Sequence, residues 1–182
     1  MIQSKSDYKE FVDYEKKRYQ DSYHINWEHK KILHFLRLYR KDEYYHNCHK
    51  NKFGTYILDK MLHHYCIKYG FHLPINAIDK GLVIVHIGPI YIHPSVKIGT
   101  DLRIHPMTTI SSSLGDKGYP VIGNGVWIGP GVRIYGNISI ENNVVIGTNS
   151  VVNKSFESGI TIAGAPAKKI NNKQYCNYFN KN

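Results

Sequence analysis

The sequence predicts a mainly β protein: a parallel β-helix of hexapeptide repeats with a small N-terminal α-helical region. Three observations carry this reading. From Ile92 onward an aliphatic residue returns at every sixth position. Glycine directly follows several of those positions, at Gly99, Gly123, Gly129 and Gly147. The first part of the chain lacks that period and shows the three- and four-residue spacing of amphipathic helices instead.

Helical patterns run over Ser6–Gln20, Trp27–Asp42 and Phe53–Tyr69. In the second, Ile32, Leu33, Leu36 and Tyr39 share one face; in the third, Ile57, Met61, Leu62 and Tyr65 do so. Gly70 and Pro74 stop the helices before the repeat. A helical region of residues 1–75 builds only a small core alone, so it is expected to dock on the β-helix.

The repeat occupies residues 76–170. Its rungs are Ile92, Ile98, Ile104 and Ile110, then, in the same phase, Ile122, Ile128, Ile134, Ile140, Ile146 and Val152. A helix needs spacings of three and four, and hairpins need longer, irregular intervals. A period of six suits short strands joined by tight turns, each placing one aliphatic residue inside a three-sided prism. Glycine after the inward residue relieves a crowded corner or supplies a positive φ. The run breaks at residues 111–120, where Gly115, Gly118 and Pro120 occur and Asp116 stands at the rung position. This segment reads as a loop extruded from the prism, either a tolerated insertion or a flap over a groove between subunits. The polar tail, 171–182, is expected to fray.

Composition sets bounds. The 24 Lys and Arg against 14 Asp and Glu give a net charge of +10. Up to Pro74 there are 14 basic and 9 acidic side chains, leaving +5 on either side of that point, which argues against a dedicated nucleic-acid arm. A basic surface favours anionic ligands such as phosphorylated cofactors. No stretch reaches the roughly 20 apolar residues of a membrane span, and the N-terminus is too polar for a secretion signal. An intracellular, cytoplasmic protein is expected, with Cys48, Cys66 and Cys176 as reduced thiols.

Histidines provide the chemistry. His86 falls in the six-residue phase, where an aliphatic rung is expected, and a polar side chain on an apolar ladder is costly unless redirected or paired. His105 lies one 18-residue coil plus one position later, so it should stack nearly beneath His86, in the corner that elsewhere holds glycine. His93 shares that corner type. A metal site built from His86, His93 and His105 lacks a nearby acidic or cysteine ligand, so no metal is expected.

Three stretches carry a family likeness: His86-Ile87-Gly88-Pro89-Ile90-Tyr91-Ile92, then Val121 to Gly131, then Ala163-Gly164-Ala165-Pro166-Ala167-Lys168. With them, the segment from Gly70 to Ile170 resembles the left-handed β-helix acyltransferases of the hexapeptide-repeat superfamily. The likeness is to the serine acetyltransferase-like branch, which includes polysaccharide O-acetyltransferases. The resemblance implies left-handedness, a homotrimer, acetyl-CoA in a groove between prisms, and direct acetyl transfer. It implies His86 as catalytic base, a role worth roughly 10²–10⁴-fold, with His105 orienting it, binding acceptor or completing the base. Gly129, Gly147, Gly164 and Ala165 would line the donor, Lys154, Lys168 and Lys169 would meet its phosphates, and corner N–H groups would meet the oxyanion.

The acceptor is read from three departures. Serine acetyltransferases carry an acidic residue before the catalytic histidine, where this chain has Val85, and a second histidine where it has Tyr119; their helical region is also longer. A carbohydrate hydroxyl, of a surface polysaccharide or its precursor, is therefore the expected acceptor, with Tyr91 and Tyr119 as stacking surfaces. L-serine and a non-catalytic binding module are the alternatives.

Overall fold

The computed structural model describes residues 1–49, 51–115 and 117–174 of the chain. The expected fraying of the tail beyond Gln174, and the places of Asp116 and Cys176, lie outside the described residues. Three helices come first: α1 (Lys5–Ser22), α2 (Trp27–Cys48) and α3 (Lys52–Tyr69). Strands follow as β1 (Phe71–His72), β2 (Val83–Ile84), β3 (Ile90–Ile92), β4 (Lys97–Ile98), β5 (Arg103–Ile104), β6 (Thr108–Ser111) and β7 (Val121–Ile122). The remainder are β8 (Trp127–Ile128), β9 (Arg133–Tyr135), β10 (Ser139–Ile140), β11 (Val145–Ile146), β12 (Val151–Val152), β13 (Thr161–Gly164) and β14 (Ala167–Asn171).

The helices are capped as their sequences dictate. Oγ of Ser4 accepts the Asp7 N–H at 3.0 Å, and Asn26 forms a capping box with His29 at the start of α2. Gly70 ends α3 at φ 74, a conformation glycine takes without steric cost.

The strands form three faces. One has the order β1-β3-β6-β9-β12, another β10-β7-β4, and the third β14-β13-β11-β8-β5-β2. All pairs are parallel except β13 with β14. Ile122 pairs with Ile140, Ile128 with Ile146 and Ile134 with Val152, each 18 residues on (140 − 122 = 18). None of the ten rung residues is more than 6 % exposed, so the six-residue period is the core of the prism. Stacked aliphatic columns of this kind are stabilised by neighbouring coils rather than by distant contacts.

Glycine's place in the corners differs from expectation in one respect. The left-handed position falls three residues after the rung, at Asp101, Met107, Gly125, Gly131, Asn143 and Asn149. Gly99, Gly123, Gly129 and Gly147, directly after the rung, do not have positive φ. Their role is close approach: a Cβ on Gly147 would lie 2.8 Å from Cβ of Ala163.

The helices dock on the first coil through polar anchors. The Tyr19 hydroxyl donates to the Ile84 carbonyl at 2.6 Å and accepts the Ile84 N–H at 2.9 Å. Arg40, fully buried, binds Glu15 and Glu43 and donates to the carbonyls of Ile78 and Asp79. On α2, Ile32, Leu36 and Tyr39 face the core, as their spacing predicts. On α3 the buried stripe is Leu58, Leu62 and Tyr69, while Ile57 and Met61 are exposed, so the inward face is rotated by about one residue from the expected one.

Candidate active site

The first coil departs from the 18-residue repeat. Ile84 pairs with Ile104, 20 residues on (104 − 84 = 20), where the regular coil from Ile128 to Ile146 repeats at 18. Fully buried Ile84 is therefore the rung. His86 lies two residues past it with its side chain 58 % exposed. It does not interrupt the apolar ladder; two extra residues shift the phase. His105 accordingly stacks one position from His86, with the Val85 N–H donating to the Ile104 carbonyl at 3.0 Å.

A carboxylate meets His86 from an unexpected direction. Glu28, in the first turn of α2, has Oε2 3.1 Å from Nδ1 of His86, and its Oε1 accepts the Ile87 N–H at 2.9 Å. Burial works to raise this carboxyl, but the hydrogen bonds from Ile87 and His86 outweigh it and hold Glu28 below the usual carboxylate range. The N-terminus of α2 favours the anion as well. Sequence reasoning missed Glu28 because 58 residues separate it from its partner; its one local signal is the cap at Asn26, which marks a helix start.

His105 is half-buried at the corner after the third face. Its Nδ1 lies 2.8 Å from the Ile128 carbonyl oxygen, which can only accept, so Nδ1 carries the proton and Nε2 keeps its lone pair. Burial pushes the imidazole below its ordinary range; the Ile128 hydrogen bond opposes that, and the charges of His86 and Arg103 add to it. The ring meets the edge of Trp127 with centroids 4.7 Å apart.

Below His105 the same corner carries Gly129, Gly147 and Ala163, in register through Ile104, Ile128, Ile146 and Ile162. These small residues let successive coils approach closely, and they form a strip that runs from His105 toward the β13–β14 hairpin. Ser150, fully buried, donates to the Gly147 carbonyl at 2.6 Å and accepts the Gly164 N–H at 3.2 Å, fixing the far end of the strip. The N–H groups of Gly129 and Gly147 donate to the Ile146 and Ile162 carbonyls, so of the corner N–H groups expected to meet an oxyanion these two are already used by the ladder.

Other sequence-derived residues divide between this corner and elsewhere. Exposed Ala165 and Lys168 lie on or beside the terminal hairpin, near the strip. Lys169 is paired with Glu157 at 2.6 Å. Lys154 lies with its ammonium over Phe156, at a corner between the other two faces, and a single chain does not bring it to His105. Tyr91 stacks on His72 and Tyr119 on His93, away from the third face that carries His105.

Residues 119–154 match the family model described as bacterial transferase hexapeptide (six repeats). The prism is a left-handed β-helix of hexapeptide repeats. Over 158 residues, 84% of this chain, the sequence is 30% identical to the serine acetyltransferase of Buchnera aphidicola subsp. Acyrthosiphon pisum, and it spans 57% of that protein. Among solved structures, Neisseria gonorrhoeae serine acetyltransferase in complex with serine superposes with a TM-score of 0.72 at 23% identity, covering 92% of this chain and 70% of that one. A serine acetyltransferase complex with CoA gives 0.72 at 22% identity, covering 92% and 72%. These likenesses take in the helices as well as the prism.

They correct the expected acceptor: the relatives are serine acetyltransferases, not carbohydrate acetyltransferases. Val85 is a neighbour of His86 in sequence, and its lack of charge does not settle what the histidine meets. In space, a carboxylate does reach His86, from Glu28. Among the described residues, no helix is long and apolar enough to cross a membrane.

Proposed function

We propose that this chain is an acyltransferase that moves acetyl from acetyl-CoA to the hydroxyl of L-serine, working as a homotrimer whose neighbouring prism completes the groove. The observation that carries the reading is His105. Its Nδ1–H is committed to the Ile128 carbonyl, so Nε2 is left as an acceptor, and burial, which lowers the imidazole's pKa, keeps the ring neutral near pH 7. An alcohol of high pKa attacks a thioester only as its proton leaves. Nε2 takes that proton as the serine oxygen bonds to the acetyl carbon, and returns it to sulfur as the C–S bond breaks. No covalent acyl-enzyme is needed.

In this assignment His105 is the base, and His86, the base expected from the sequence, is the neighbour that Glu28 orients. The Glu28 carboxylate is the group suited to the acceptor's ammonium. The strip floored by Gly129, Gly147 and Ala163 takes the pantetheine arm, and Lys168, exposed on the terminal hairpin, is the cation suited to a CoA phosphate. The test is release of free thiol from acetyl-CoA, with and without L-serine. Serine-dependent release that His105→Gln abolishes supports the proposal. A protein to which acetyl-CoA shows no calorimetric binding is instead a non-catalytic module.

A further inference from the structure

Away from His105, the end of α2 and the start of α3 bring together three side chains that the acyl-transfer chemistry does not use. Asp42 and His46 lie one turn apart on α2, and Asp59 faces them from α3. Asp42 is only 3 % exposed, yet its Oδ1 has no hydrogen-bond partner. Its Oδ2 lies 3.9 Å from Nε2 of His46, which is 2.7 Å from Oδ1 of Asp59. One ligand atom from each residue lies within 4.8 Å of the other two.

The cluster offers two carboxyl groups and one imidazole as donors. The guanidinium nearest in sequence, Arg40, is already committed to Glu15 and Glu43. A buried carboxylate oxygen with no donor costs its full desolvation unless a positive charge reaches it.

We propose that Asp42, His46 and Asp59 form a divalent-cation site that clamps α2 to α3. The donor set of two oxygens and one imidazole nitrogen suits a borderline metal of the Zn²⁺ class better than Mg²⁺ or Ca²⁺, which prefer oxygen alone. Metal–ligand bonds of about 2.0–2.2 Å put the donors of a tetrahedral site about 3.4 Å apart, so the three need only small side-chain rotations to close. His46 exchanges its contact with Asp59 for the metal. Three protein ligands leave a position for water. The entry path is open, because the His46 and Asp59 side chains are 38 % and 45 % exposed and border a cavity lined by Tyr45, His49 and Tyr56.

The experiment uses the full chain, treated with chelator and titrated with ZnCl₂, and follows both calorimetry and thermal melting. One equivalent should bind per chain and raise the melting temperature by about 5 °C or more at a hundredfold excess over Kd. Asp59→Asn and His46→Gln replace half-exposed side chains and leave the packing of α2 on α3 intact. Each should weaken Zn²⁺ by about tenfold or more and remove the melting shift. His24→Gln, far from the site, controls for binding by other surface histidines and should behave as the parent. A zinc-dependent shift that survives in either ligand variant, or its absence from the parent protein, overturns the site.

Discussion

Replacing Arg40 by Met tests what holds the helices on the prism. The guanidinium is fully buried and donates at 3.0 and 2.7 Å to Glu15, at 2.9 Å to Glu43, and at 2.9 and 2.8 Å to the carbonyls of Ile78 and Asp79. Methionine keeps much of the volume but removes the cation, leaving two carboxylates in a dry interior. Removing one partner of a buried ion pair typically costs about 3–5 kcal/mol, and the two carbonyls that lose a donor push toward the upper end. Burial already raises the Glu15 carboxyl, against the pull of Arg40, and the substitution raises it further. A carboxyl raised by folding stabilises below its unfolded pKa and loses that contribution as pH climbs through its folded value. The deficit of Arg40→Met should therefore be larger at pH 8 than at pH 5. Urea unfolding at both pH values and one protein concentration measures it. The triple variant Arg40→Met/Glu15→Leu/Glu43→Leu should recover most of the loss, since replacing a whole buried network with apolar groups is often neutral. A deficit below about 1 kcal/mol that is the same at both pH values would refute the reasoning.

Further outcomes concern the site. His105→Gln should lower kcat by about 10²–10⁴-fold while leaving acetyl-CoA affinity near its parent value, as single-turnover and binding measurements will show. Because His105 is held below its ordinary range of about 6.5, it stays neutral until the solution is more acidic than that, so kcat/KM should fall only below about pH 6.5. His86→Gln removes a charge that depresses His105 and should move that acid limb upward. Glu28→Gln should raise KM for L-serine by about tenfold or more, the scale of one charge-assisted hydrogen bond, with KM for acetyl-CoA little changed. Gly147→Val brings a Cβ to 2.8 Å from that of Ala163 and fills the strip, so KM for acetyl-CoA should rise and the melting temperature fall.

The sequence by itself determined the prism. Every rung from Ile92 to Val152 was legible because each coil repeats the same local requirement, an aliphatic residue at a six-residue interval, and all ten are buried. The three helices and the two histidines were legible for similar reasons: caps, spacing and a chemistry that few side chains offer. Only the tertiary structure decided how those histidines differ. Two extra residues in the first coil move His86 out of the ladder, and a period cannot announce its own local defect. The lone pair of His105 is fixed by a carbonyl 23 residues away, and the partner of His86 arrives across 58 residues from a helix with no periodic relation to the prism. Periodicity encodes contacts that recur; a contact made once, between elements of different symmetry, depends on how the helices dock.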